Sequence, residues 1–227
     1  MAKSAEITRL YRGARIEERR AERRSQLIDA AIKVYGEVGY RNATVKAVCE
    51  KAKLTERYFY ESFDNSEALL IAAYAHVTAE LHEEMAKAGE PFVDDDVARV
   101  TAVLRIYFVC LRQQPQPAKV FLLEIVGISP AVDAARMHAL KVMSNVLLPS
   151  SAPGSKGSGL VTLSSAGMIG AVINIALRWV SQGYAQPLDD VVATAVDFCR
   201  VALSGQRPKR LAIDGHLRDA RKSRTRA

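Results

Sequence analysis

The stretch KAVCEKAKLTERYFYESFDNSEALL, from Lys46 to Leu70, decides how the chain is read. Tyr58, Phe59, Tyr60 and Phe63 crowd together here, and a short helix cannot turn all four toward one interior. Just ahead, Thr44 precedes Val45, Val48, Cys49 and Ala52, a brief amphipathic pattern with a hydroxyl placed to cap it. Lys53-Leu54 interrupts that pattern, and Thr55 is placed to cap a second short helix over residues 56–61. Asn65 caps a longer helix that begins at Ser66 or Glu67 and turns Leu69 and Leu70 inward. Phe59 and Phe63 are one helical turn apart and share a side with Leu54, so they are predicted to look inward. Tyr58 and Tyr60 are rotated about 100° to either side of Phe59, where their hydroxyls tolerate water. They either plug the edges of the core or face outward beside Thr55, Glu56 and Arg57. A helix–tight turn–helix unit lays its second helix in the major groove of DNA. In that arrangement Thr55, Arg57, Tyr58 and Tyr60 form the groove-facing set.

Outward from this stretch, helical spacing dominates. Leu27, Ile28, Ala31, Val34, Tyr35 and Val38 form one apolar stripe, which Gly39 stops as a glycine just past a helix end does. Val100, Val103, Leu104, Tyr107, Phe108 and Leu111 repeat the pattern, with Ile106 and Val109 filling the flanks, so that helix should lie deep. Pro115 and Pro117 end it, and Pro130 separates residues 120–128 from residues 131–148. No stretch alternates strictly between hairpin signals, and the chain is read as all-α. PSSAPGSKGSG (residues 149–159) is expected to be a mobile loop, and the tail from Arg207 to Ala227 is too polar to order itself.

Composition narrows the function classes. The chain has 227 residues, 49% of them apolar and 25% charged, which suits a soluble globular protein of one or two domains. No uninterrupted apolar run is long enough to span a bilayer and no secretory signal is visible, so a cytoplasmic location without a membrane partner is expected. Cys49, Cys110 and Cys199 are widely spaced within apolar helical patterns and read as reduced, buried thiols. His76 and His82 do not share a helix face, and neither a metal nor a cofactor is expected. Residues 1–66 carry 14 Lys/Arg against 10 Asp/Glu, residues 67–205 carry 10 against 13, and residues 206–227 carry 8 against 2. Both ends are therefore basic, and a polyanion would be met there.

The segment AAIKVYGEVGYRNATVKAVCEKAKLTERYFYESFDNSEALL, within Ser25 to Leu70, resembles the N-terminal DNA-binding domain of the TetR family of bacterial transcriptional regulators. The likeness rests on several features at fixed offsets: Gly39-Tyr40, Ala43-Thr44-Val45, the two-helix unit, the Tyr60/Phe63 pair, and Glu67-Ala68-Leu69. It implies that Lys46 reaches DNA from the first helix and that Thr44 touches phosphate while capping. It further implies that Glu56, Arg57 and Tyr58 meet bases and that Tyr60 binds phosphate. Three positions depart from the family pattern. Lys53 replaces a turn glycine, Ser62 stands where a histidine is common, and Ser66 stands where a lysine is frequent. The arm from Arg9 to Arg24, with its seven arginines, either supplies the missing phosphate contacts from a minor groove or is a solvated helix extension.

The resemblance implies a division into a basic arm (residues 1–24), a helix-turn-helix DNA-binding domain (25–70), a helical effector-binding and dimerisation domain (71–205) and a basic tail (206–227). Residues 75–205 hold no phosphate loop, acid/base pair or nucleophile motif, so no enzyme is expected. The apolar helix over residues 163–183 carries Ser164, Gly167, Gly170 and Ala171, small residues that permit close approach of another helix. With the stripe over residues 188–203 it is expected to form a homodimer in a four-helix bundle. Phe108, Leu111, Phe121, Met137, Met143 and Trp179 are candidate lining for a small hydrophobic or aromatic effector. Asn174 and Arg178, polar in a greasy helix, point to either the dimer interface or the ligand. The expected protein is a homodimeric repressor released from a palindromic operator in double-stranded DNA by a small-molecule effector. A ligand-independent or architectural DNA binder and a helical small-molecule-binding module without DNA activity are the alternatives.

Overall fold

The computed structural model describes residues 2–147 and 159–203, with side chains over residues 16–147 and 163–200. The loop expected over residues 149–159, apart from its last residue, and the tail expected from Arg207 lie outside the described residues. The described chain is helical with no strand: α1 (Ala2–Val38), α2 (Val45–Ala52), α3 (Glu56–Tyr60), α4 (Ser66–Gly89), α5 (Asp96–Gln113), α6 (Pro115–Lys119), α7 (Pro130–Leu147), α8 (Gly159–Ser181) and α9 (Leu188–Leu203).

Local chemistry sets most boundaries. Gly39 ends α1 at φ 84, a backbone conformation that a side chain disfavours. Asp95 opens α5 by accepting from the Val97 and Ala98 amides through its carboxylate. Pro115 closes α5 but also opens α6, because a ring with fixed φ and no N–H suits a first helical turn. Residues 120–124 then widen into one π turn, so the segment after Pro117 is a bent helical run rather than a regular helix. The arm, for which a helix extension is one of two readings of the sequence, is helical. Helix α1 continues back to Ala2 as one helix and takes in the whole basic arm.

The stripe of α1 is buried through Leu27, Ala31, Val34 and Tyr35, and packs on α2, α4 and α6. Helix α4 passes from this small bundle into the larger one, where it lies against α5 and α7, while α9 packs on α5 and α8. The junction is tight at Gly36, where an added Cβ would come within 2.5 Å of the Gln116 Cβ. Polar contacts fasten the same place. Lys119 Nζ donates to the Gly36 carbonyl at 3.0 Å, the Tyr40 amide to Glu124 Oε2 at 2.7 Å, and Arg41 to the Gly127 carbonyl at 3.3 Å.

Helix α8 is apolar on average rather than in one unbroken run. Leu163–Ser181 is long and apolar enough, by length and composition, to cross a bilayer, with a mean hydropathy of 1.4. Its serines, Asn174 and Arg178 interrupt the apolar run without lowering the average far. Only 28% of that segment is buried within the chain, so one side of it lacks a covering partner among the described residues.

Two predictions follow from packing. Gly36→Ala must push α6 away from α1, and urea unfolding should show a loss of about 1–3 kcal/mol. Burial, with a smaller contribution from the charge of nearby His138, pushes the His82 imidazole down to about 4. Its contribution is complete above the unfolded value near 6.5 and is lost as pH falls toward about 4, to a total of about 3 kcal/mol. His82→Gln should remove that part of the pH dependence in unfolding measured between pH 7 and 4.

Candidate nucleic-acid interface and helical core

The α2–turn–α3 unit is built by a few local bonds. Thr44 is extended and its Oγ1 accepts from the Ala47 amide at 3.1 Å, capping α2, while Val48 and Cys49 bury its inner face. Lys53 takes the left-handed conformation at φ 56, ψ 38. The turn is thus as left-handed as a glycine would make it, and a side chain there carries the steric cost. Its amide donates to the Glu50 carbonyl at 3.1 Å and that of Leu54 to Cys49 at 2.9 Å, closing α2 within one tight turn. Thr55 has the backbone of a cap, but its side chain makes no capping bond. Asn65 does cap α4, with Oδ1 accepting from the Ala68 amide at 2.8 Å.

Phe59 is 0% exposed and Phe63 4%, and the pair fixes the rotation of α3. The two tyrosines then differ. Tyr60 is 61% exposed, edge-on to Phe59 at 5.1 Å between ring centroids. Tyr58 is only half-exposed, because the Arg23 guanidinium of α1 lies over its ring at 4.5 Å. Thr44, Lys46, Thr55, Glu56 and Arg57 are all exposed around them. Lys46 lies 3.9 Å from Glu50, and Arg57 Nε donates to Glu61 at 2.9 Å. Exposed pairs of this kind are worth about 0–1 kcal/mol, so both cations can exchange a carboxylate for a phosphate at little cost. Ser62 is turned inward, its Oγ donating to the Tyr58 carbonyl at 2.9 Å, and the Ser66 and Tyr40 hydroxyls lie 3.4 Å apart. Neither serine substitutes for the missing cation.

Of the apolar candidates, Phe108, Leu111, Phe121, Met143 and Trp179 are buried in the larger bundle. Phe108 meets Trp179 edge-on at 5.7 Å, and Trp179 Nε1 donates to the Gln186 carbonyl at 2.9 Å. Leu111 and Phe121, with Val77, Leu81 and Cys110, line a cavity of about 40 Å³, room for no more than a few water molecules. Met137 is exposed on α7, apart from that group. Asn174 and Arg178 are exposed on the outer side of α8, and Asn174 Nδ2 donates to the Gly170 carbonyl at 2.9 Å. The space beyond Gly167 and Gly170 is open.

Sequence reasoning passed over several buried polar groups in the same bundle. Tyr74 OH, Tyr107 OH, His82 Nε2 and Arg136 Nε are buried without a hydrogen-bond partner among the described residues. Tyr74 stacks on Phe121 at 6.1 Å and Tyr107 meets the same ring edge-on at 6.3 Å. Burial raises the pKa of both hydroxyls, so they stay protonated. A tyrosine in an apolar helix carries no sequence signal that separates a core-edge hydroxyl from an orphaned one.

The family described as bacterial regulatory proteins, tetR family, matches residues 27–73. The HTH-type transcriptional regulator BetI of Brucella canis is 22% identical over 187 residues, covering 81% of this chain and 93% of BetI. The structure of the fatty acid degradation regulator FadR from Bacillus halodurans has a TM-score of 0.64 at 20% identity, covering 82% of this chain and 96% of that one. The transcriptional regulator FadR from Bacillus subtilis, solved in complex with stearoyl-CoA, has a TM-score of 0.63 at 21% identity, covering 81% and 99%. These structures share the fold, with a helix-turn-helix domain leading into a helical C-terminal domain.

The strained turn gives a direct test. Lys53→Gly removes the Cβ clash at positive φ, less the extra freedom glycine has when unfolded, and should stabilise the protein by about 0.5–1 kcal/mol in urea unfolding.

Proposed function

We propose that the chain is a regulator of the tetR type, a homodimeric repressor of a palindromic operator released by a small hydrophobic or aromatic effector, a reading supported by the match of residues 27–73 to the family of bacterial regulatory proteins. The observation that carries the reading is the exposed polar face of α3 and its surroundings, held outward by the buried Phe59 and Phe63. On this reading residues 25–70 are the DNA-binding domain and residues 71–205 the effector-binding and dimerisation domain. Thr55, Glu56, Arg57 and Tyr58 face the major groove, and Thr44, Lys46 and Tyr60 hold phosphates on either side. Half-sites one helical turn apart suit a two-fold dimer.

The outer side of α8 supports dimerisation. Leu163 is exposed there, Gly167 and Gly170 leave room for a second backbone, and Phe198 of α9 is 55% exposed. Asn174 and Arg178 then face the partner copy rather than an effector.

An effector site in the larger bundle is supported by its orphaned hydroxyls and aromatic lining, and by analogy with the FadR bound to stearoyl-CoA. Phe121 ties that core to the junction. It packs on Tyr74 and Tyr107, while Lys119 and Glu124 of the same bent run hold Gly36 within α1 and Tyr40 just past its end. A ligand that parts α4, α5 and α7 displaces this run, tilts α1 and changes the separation of the two recognition helices. The shift is limited to the ligand's differential affinity for the two arrangements.

Tyr60→Ala and Arg57→Ala are each expected to abolish the gel shift of the protein's own upstream DNA while size-exclusion chromatography still shows a folded dimer. Retained DNA affinity in both variants would remove the contact assignment.

A further inference from the structure

Three arginines of α1 lie on the recognition helix and the turn that follows it. The Arg20 guanidinium donates to the Glu61 carbonyl at 2.8 Å, Arg23 covers the Tyr58 ring at 4.5 Å, and Arg24 covers the Phe63 ring at 4.5 Å. They are spaced i, i+3, i+4 and so share one face of α1. We infer that Arg20, Arg23 and Arg24 are positioning residues of the recognition helix, a clamp through which the N-terminal extension of α1 serves DNA binding by orienting α3. The inference rests on the DNA-binding reading of α3. It differs from the alternative in which this arm reaches a minor groove itself.

The need for such a clamp follows from length. Helix α3 has five residues, below what forms without outside support. Its inner side is fixed by Phe59 and Phe63, but two rings on one side leave the helix free to rock about them. The clamp opposes rocking through Arg23 on the Tyr58 flank and through Arg20 and Arg24 past the C-terminal end. Carbonyls at that end need partners. The Tyr58 carbonyl accepts from Ser62 Oγ and the Phe59 carbonyl from the Ser62 and Phe63 amides, all within the segment. The Glu61 carbonyl takes its bond from α1, through Arg20.

Arginine is suited to the task. A planar, weakly hydrated guanidinium stacks flat on an aromatic face and donates in a fixed fork, whereas an ammonium does neither. With Arg23 over its ring, Tyr58 is a link between α1 and α3 as well as a neighbour of the groove-facing residues. Tyr60, on the other flank of Phe59, has no such cover among the described residues and keeps its exposure.

The test keeps the charge and removes the shape. In the full-length protein, Arg20, Arg23 and Arg24 are replaced together by lysine, and two measurements are made. Amide hydrogen exchange is followed at residues 59–62 of the α3 segment and, as the internal reference, at Val48 and Cys49 of α2. Affinity for a duplex of the protein's own upstream DNA is measured across a salt series. The clamp predicts that exchange in α3 quickens about tenfold while α2 is unchanged. It also predicts that DNA affinity falls about tenfold with no change in salt slope, because no phosphate contact has been lost. Wild-type exchange and affinity in the lysine variant would overturn it, as would faster exchange in α2 and α3 alike. A variant with faster α3 exchange but wild-type affinity would overturn the link to DNA. Replacing the three by alanine adds a further check, since a loss of slope near 0.9 per arginine would mark them as direct phosphate ligands instead. Should the wild-type protein bind no duplex at all, the DNA-binding reading fails with it, and the exchange comparison still decides whether the clamp exists.

Discussion

The burial of Phe59 and Phe63 is the constraint on which the rest of the N-terminal domain depends. Five residues of helix have almost no stability of their own, so α3 has whatever orientation its anchors give it. Two rings one turn apart, both inside, leave a single rotation. That rotation turns Thr55, Glu56, Arg57 and Tyr60 outward together and brings Tyr58 under Arg23. A change that released either ring would alter the presentation of every exposed residue on α3 at once. Removing an exposed residue leaves the anchor untouched.

The second dependency is the meeting of α1 with the bent run after α5. Gly36 lies so close to Gln116 that the two segments cannot slide independently, and the Glu124 carboxylate holds the amide of Tyr40 just past the end of α1. The same run carries Phe121, whose ring is packed between two tyrosines whose hydroxyls have no partner among the described residues. A rearrangement of that polar-starved core thus has a short mechanical route to α1. The cavity now present there is small, so the proposed effector would fit only if the helices parted, and on that reading the displacement would couple occupancy to the junction.

How much of this was legible in the sequence depended on whether the determinant was local. The caps at Thr44 and Asn65, the stripe from Leu27 to Tyr35 and the inward pair Phe59 and Phe63 are set by neighbours within a few residues and could be read directly. Val38, placed on the same stripe by spacing, is instead exposed at the end of α1. The family likeness of residues 27–73 rests on the same local features. Thr55 looked like a capping residue and has the backbone of one, yet its side chain leaves the bond unmade. The half-cover of Tyr58 was not legible, because Arg23 belongs to a different helix and no periodicity records a stacking partner. The unbroken helix of the arm was left open, since alternating Arg and Glu satisfies a solvated helix as well as a nucleic-acid arm. Apolar spacing put Met137 among pocket residues, whereas the packing of α7 leaves it at the surface. Average hydropathy, rather than an unbroken run, was the property that brought α8 to membrane-spanning length.

The central claim is that α3, rotated by its two phenylalanines, enters a major groove. Methylation protection reads that groove directly, because guanine N7 lies in it. On a duplex of the protein's own upstream DNA, the account predicts protection at two patches of guanines about one helical turn apart, lost when Phe59→Ala frees α3. Protection absent at guanine N7 while the duplex is bound, or unchanged in Phe59→Ala, would contradict it.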